Sequence, residues 1–190
     1  MNARHHVASA HGRFQPVHNG HVEYLLAAKA RCDFLYIGLT QMVRSRLQDV
    51  SEVAHHRAEL PNNPLTFFER QELIREVMLD SGVARGEFEV LPFPIEDEPI
   101  LTEFLPLDVP VFTTVYDDWN REKVVRLRSA GYVVEVLWER EIKEYVGSKV
   151  RALVAAGDDG YRSMVPEATS RLVDRLKLEH RLRGLDKRLP

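Results

Sequence analysis

The chain has 190 residues, 44% of them hydrophobic and 29% charged, with a formal net charge of -3. That length suits one domain with a real core, and the slight acidity excludes a global basic field for nucleic acid, so any anion site must be local. The single cysteine, Cys32, excludes an internal disulfide and a cysteine-rich zinc site, and no apolar run approaches the roughly 20 residues of a membrane span.

Met1 to Ala8 lacks an apolar signal core, so the expected location is cytoplasmic. Val7 to Ala10 is a short apolar run closed by a glycine turn, as in a buried parallel strand. Val22 to Ala30 has helical composition, with Asn19 offered as its N-cap. Cys32 falls at the junction with the next strand, Asp33 to Thr40, and reads as a packing residue. Strand, glycine turn, helix and strand make a βαβ unit. Gln41 to Asn63 follows, long, polar and histidine-bearing. A helix then opens with Thr66 as cap and Glu69 three residues on, a capping box. "FEVLPF" and "VPVFTTVY" read as strands, separated by the acidic, proline-broken stretch Ile95 to Pro110. A helix from Asn120 stops at Gly131, and "YVVEVLW" is the fifth strand. Helices are expected at 149–156 and 169–182. This alternation predicts an α/β fold: a Rossmann-like open parallel sheet of five strands with helices on both faces. One domain spans 1–190, with a helical segment at about 168–190. The two irregular stretches both follow strands, so both are placed at the carboxyl edge, where ligands bind in such sheets.

The chemistry gathers in "HGRFQPVHNGH", His11 to His21. A glycine turn running into a helix start is a phosphate site. Gly12 lets ligand oxygens approach the backbone, and the helix end offers N–H groups and a positive dipole. His18 and His21 add donors beside it, Arg13 adds a fork, and Gly20 leaves room against the first turn. The two histidines could instead cap loops or hold a metal, but no carboxylate or cysteine stands at ligand spacing, which favours phosphate. Arg13 could also be a plain surface charge.

"GRFQPVHNGH" closely resembles the HxGH-bearing opening of the nucleotidyltransferase superfamily, and specifically the archaeal-type nicotinamide mononucleotide adenylyltransferases, with Val17 in place of an aromatic residue. "NPLTFFERQELI" (Asn63 to Ile74) resembles the family's NPFTxxERxxMI. "EYVGSKVRALV" (Glu144 to Val154) resembles EYSGTxIRxxM, the counterpart of an ISSTxxR signature. The resemblance runs from about Ala8 to Val165 and implies the nucleotidylyl transferase fold. It also implies direct in-line attack by an acceptor oxygen on the α-phosphate of a nucleoside triphosphate, CTP or ATP, with release of pyrophosphate. Carried onto this chain, nucleotide contacts fall to Gly12, Arg13, Phe14, His18, Gly20, His21, Gly147, Ser148 and Arg151. Of these, His18, His21, Arg13 and Arg151 would be catalytic. Ser148 would cap the helix it opens, and Arg151 lies about one turn further on. Mg²⁺ would come with the triphosphate, bound by no protein side chain.

The acceptor is a separate question. Where the archaeal enzymes carry an Asn- and Trp-containing segment, this chain has "PFPIEDEPILTEFLP", and "TTVYDDWNREK" replaces an SGN-like turn. The chain therefore looks more like the cytidylyltransferases of phosphonate pathways, which attach CMP to a small phosphonate. Candidate acceptor contacts are Thr40, His55, His56, Arg57, Arg70 and Trp119. All but Thr40 have a plainer reading: solvated loop for the 55–57 group, core for Trp119, an ion pair beside Glu69 for Arg70. The alternatives are NAD synthesis from ATP and nicotinamide mononucleotide, and a non-catalytic nucleotide sensor, which need not keep both histidines and Arg151. No nucleic-acid or membrane partner is expected. The leucines of the basic C-terminal segment could support a homo-oligomer.

Overall fold

The computed structural model describes residues 4–49 and 55–186, apart from the side chains of 56, 57 and 186. Its strands are β1 (His5–Gly12), β2 (Cys32–Leu39), β3 (Phe88–Pro92), β4 (Val111–Val115) and β5 (Val134–Glu139). They form one sheet in the order β3-β2-β1-β4-β5, and every neighbouring pair is parallel. The order reverses between β1 and β4, and that point defines a crevice at the carboxyl ends. Ala8, Ala10, Leu35, Ile37 and Leu39 are wholly buried on one face of the sheet, and Ser9, His11, Val111 and Thr113 are buried on the other, as strands covered on both faces require.

Helices α1 (Asn19–Lys29), α2 (Phe67–Asp80), α5 (Gly147–Ala156), α6 (Glu167–Leu176) and α7 (Leu178–Asp186) share one core with one face of the sheet. The short α3 (Glu98–Leu101) and α4 (Asp118–Ser129) pack on the other. No helix among the described residues is long and apolar enough to cross a membrane.

The expected capping box on α2 is present: Glu69 N–H donates to Thr66 Oγ1 at 3.2 Å and Thr66 N–H to Glu69 Oε2 at 2.8 Å. Three expectations change. The segment 41–63 is not a featureless loop; it is punctuated by 3₁₀ turns at Arg44–Arg46, His55–Ala58 and Leu60–Asn62. The helix expected at 169–182 is two helices, broken at Lys177, whose φ of 48° is left-handed. Helix α4 begins at Asp118, capped by Asp117, because that carboxylate accepts the Asn120 N–H.

Two contacts set the floor of the crevice. The β1–β4 ladder pairs only Ser9 with Val111 and Ala10 with Phe112. Beyond it the Tyr24 hydroxyl, from α1, accepts the His11 N–H at 3.1 Å and donates to the Phe112 carbonyl at 2.7 Å. One phenol thus satisfies both strands where they part, and it fixes α1 against them. On the opposite face Phe93 lies across Gly38, where a Cβ would stand 2.6 Å from the Phe93 Cβ. Its ring stacks on His11, centroids 4.5 Å apart.

Candidate active site

Helix α1 begins at the carboxyl end of β1, and its cap is His18, not Asn19. The His18 Nδ1 accepts the His21 N–H, and the His21 Nδ1 accepts the His18 N–H, both at 3.3 Å. This is a capping box made by two imidazoles, whose rings stack 3.6 Å apart. Asn19 is released to donate to the Ser163 carbonyl. With both Nδ1 atoms accepting, the proton of each neutral ring resides on Nε2. Burial, with the charges of Lys143 and Arg151 added, pushes the His18 pKa down to about 4. In this ligand-free site His18 is therefore a neutral donor at physiological pH.

The second wall of the crevice is the start of α5. Its N-cap is Val146, which makes no side-chain cap. Ser148, expected to cap this helix, lies inside the first turn instead, so the first N–H groups of α5 stay available to an anion. The two helix starts meet: a Cβ at Gly147 would stand 3.4 Å from an Arg151 nitrogen and 3.8 Å from the His18 Cδ2. Gly20 admits the His18 ring at 3.3 Å and the Tyr145 Cβ at 3.5 Å, so its bareness serves the site's own packing. Gly12 likewise makes room for Phe14, whose ring would lie 3.0 Å from a Cβ there. Phe14 itself takes a left-handed φ of 50°, is buried, and meets His21 edge-on.

The three sequence blocks lock together through hydrogen bonds. Gln15 exchanges two with Leu65: its Nε2 donates to the Leu65 carbonyl at 3.0 Å and its Oε1 accepts the Leu65 N–H at 2.8 Å. The Gln15 carbonyl accepts Arg151 at 2.9 Å, and Arg151 also donates to the Asn62 side chain. Arg151, buried and held this way, brings the third block to the first.

Arg70 corrects an expectation. It is wholly buried, and its guanidinium donates to the carbonyls of Arg13 (2.9 Å), Thr40 (2.7 Å), Gln41 (2.9 Å) and Thr66 (3.3 Å). Burial lowers its pKa to about 10, so it stays charged. Its donors tie the turns after β1 and β2 to α2 and are not presented to an acceptor. Thr40 is buried within this knot, its N–H donating to the Gly12 carbonyl. Trp119, considered for base stacking, is only 7% exposed in the first turn of α4. His55 is exposed and pairs with Asp49 at 2.8 Å, while the His56 and Arg57 side chains lie outside the described residues. Arg13 is half-buried in the turn between β1 and α1. Gln15, Tyr24 and Lys143 are additions that the motif reading did not single out. Of these, Gln15 lies inside a quoted motif, and its polar side chain beside a proline was the available signal.

Among the described residues no group of three or more histidine, cysteine or acidic side chains is placed to hold a metal ion. The crevice donors are N–H groups and cations, which suit phosphate oxygens and not a metal.

Residues 9–187 match the family model described as cytidylyltransferase-like. The chain is 36% identical over 175 residues to a phosphonoformate cytidylyltransferase of Streptomyces viridochromogenes, covering 92% of this chain and 94% of that protein. It is 30% identical over 180 residues to a nicotinamide-nucleotide adenylyltransferase of Ignicoccus hospitalis, covering 93% and 96%. Among solved structures, a bifunctional NMN adenylyltransferase/ADP ribose pyrophosphatase from Francisella tularensis, complexed with AMP and a manganese ion, superposes with a TM-score of 0.68. It matches at 12% identity, over 95% of this chain and 52% of that one, which speaks for the fold alone. Family model, relatives and geometry agree: this chain belongs to the cytidylyltransferase-like family of nucleotidyltransferases.

Proposed function

We propose that the protein transfers CMP from CTP to a small phosphonate and releases pyrophosphate. The observation that carries this reading is the pair of mutually capped imidazoles facing the open amino end of α5. Two Nε2–H donors, the first N–H groups of a helix and a buried guanidinium converge on one crevice, a donor set built for a polyphosphate. The acceptor needs no general base, because a phosphate monoester, and by the same chemistry a phosphonate, is largely ionised near neutrality. Its oxygen attacks the α-phosphorus in line. The new P–O bond forms as the bond to the bridging oxygen breaks, and pyrophosphate departs with that electron pair. The chain's part is to align the reactants and to meet the charge that builds on the phosphate oxygens. His18 and His21 donate through Nε2 to the α- and β-phosphates, with Arg13 and Arg151 toward the leaving pyrophosphate. A magnesium ion bound to the triphosphate would neutralise further charge.

The choice of CTP and a phosphonate draws support from the 36% identical relative, a phosphonoformate cytidylyltransferase. The 30% identical adenylyltransferase keeps NAD synthesis as the second reading. Pyrophosphate release separates them: CTP and ATP are each assayed with phosphonoformate, with other small phosphonates and with nicotinamide mononucleotide. Release with CTP and a phosphonate is the expected result. Release only with ATP and nicotinamide mononucleotide selects the second reading, and release with no pair selects a nucleotide sensor.

A further inference from the structure

Lys143, on the loop 140–146 between β5 and α5, has no part in the chemistry above, yet its surroundings place it at the crevice. Two residues on, the Tyr145 Cβ lies 3.5 Å from where a Cβ would stand at Gly20, and Gly147 abuts the His18 ring. The loop therefore runs across the amino end of α1. From it the Lys143 ammonium reaches back over the end of β4, where it donates to Asp117 Oδ2 and lies 5.4 Å from the centre of the Tyr116 ring. Its charge is felt at His18, alongside that of Arg151. The cation thus stands at the end of β4 on a loop that passes the start of α1, next to the point where the sheet order reverses.

The partner that holds it is replaceable. Asp117 uses one oxygen to cap α4 through the Asn120 N–H and the other to hold Lys143. The two side chains are 36% and 45% exposed, and an ion pair that open contributes little. A triphosphate offers the ammonium several negative charges in place of one solvated carboxylate. We propose that Lys143 is a nucleotide-binding residue that exchanges Asp117 for the triphosphate when the nucleotide enters between α1 and α5. The exchange takes only side-chain torsions, since Asp117 stays on Asn120 as the cap of α4. This assignment rests on the triphosphate reading of the crevice.

The test is calorimetric titration of CTP and of ATP, with magnesium and without acceptor, into the wild type, Lys143→Met, Lys143→Arg and Asp117→Asn. Lys143→Met is expected to lose about tenfold in affinity and part of the salt dependence of binding, and Lys143→Arg to recover most of both. Asp117→Asn keeps an oxygen for Asn120 and should bind more tightly than wild type, because the ammonium no longer has to leave a carboxylate. Opposite signs are the signature. If Lys143 served only to hold Asp117, Lys143→Met and Asp117→Asn would lose the same pair, shift Tm little and alike, and leave affinity unmoved. Wild-type affinity in Lys143→Met, or no tightening in Asp117→Asn, overturns the proposal while the wild type still binds. A wild type that binds neither triphosphate overturns the crevice reading itself.

Discussion

The His18 and His21 side chains each accept the other's backbone N–H, so one contact both starts helix α1 and aims two Nε2–H groups outward. Fold and chemistry share these atoms. A backbone cap accepts only at a ring nitrogen without a proton, so the helix start dictates the tautomer that a phosphate needs.

The two duties separate by substitution. His18→Asn retains a short acceptor for the His21 N–H but cannot reach where Nε2–H points. His18→Ala loses both. Alanine should cost about 1 kcal/mol of stability, and asparagine less than about 0.5 kcal/mol. Both should lose about 100-fold or more in turnover. Thermal melts and kcat for the two variants check this; if His18→Asn keeps full turnover, the imidazole is a cap and nothing more.

The buried state of His18 makes stability depend on pH in a stated direction. Its folded pKa of about 4 lies below the ordinary 6.5. Above 6.5 both folded and unfolded chains hold it neutral, and its contribution is complete. As pH falls from about 6.5 toward 4 the unfolded chain takes up a proton that the folded chain refuses, so stability is lost across that window. Many carboxylates titrate at its lower end, so the informative quantity is the Tm of wild type minus that of His18→Asn at each pH. That difference should shrink from pH 7 to pH 4. Parallel curves would show that His18 titrates normally in the folded protein.

All five strands were legible because each is a short apolar run bounded by turn residues, and the alternation with helices allows few other folds. The glycine turn that runs into the start of α1 was legible for the same local reason. What escaped was settled by tertiary contact. Asn19 is the better cap by general preference, and only the stacking of two imidazoles hands that place to His18. Ser148 had the right residue type for a cap, but the turn before α5 starts the helix two residues earlier, at Gly147 with Val146 as the cap. Gly12 and Gly20 looked like windows for a ligand, and in the fold their space is taken by Phe14, His18 and Tyr145. Local spacing carries no information about Lys143, whose reach depends on where β4 and β5 end.

Arg70 shows the same limit from the other side, since an arginine in a phosphate-transfer motif invites a phosphate. Removing its guanidinium would strand the carbonyls of Arg13, Thr40 and Gln41 around a buried void, while Thr66 keeps the Arg70 backbone N–H. Arg70→Met is expected to destabilise by more than about 3 kcal/mol, and Arg70→Lys to rescue little, because an ammonium cannot reproduce the fork. Denaturant unfolding measures this. A stable Arg70→Lys whose only defect is a raised KM for the acceptor would return Arg70 to the binding site.

Tyr24 holds the crevice open at its floor. Burial pushes its phenol pKa well up, so it remains protonated and donates to the Phe112 carbonyl while accepting the His11 N–H. Tyr24→Phe keeps the ring's packing and removes the one atom that satisfies both strands where they diverge. The expected loss is about 2 kcal/mol, from an N–H and a carbonyl left unpaired in the interior. Without that oxygen the ends of the two strands can close on each other, and closure would narrow the gap proposed to seat the nucleotide. Tyr24→Phe should therefore raise the KM for triphosphate more than it lowers kcat, since the imidazoles on α1 keep their mutual cap. Unfolding and steady-state kinetics on the same preparation decide it. A variant that loses stability but binds triphosphate as tightly as wild type would mean that Tyr24 supports the sheet without shaping the crevice.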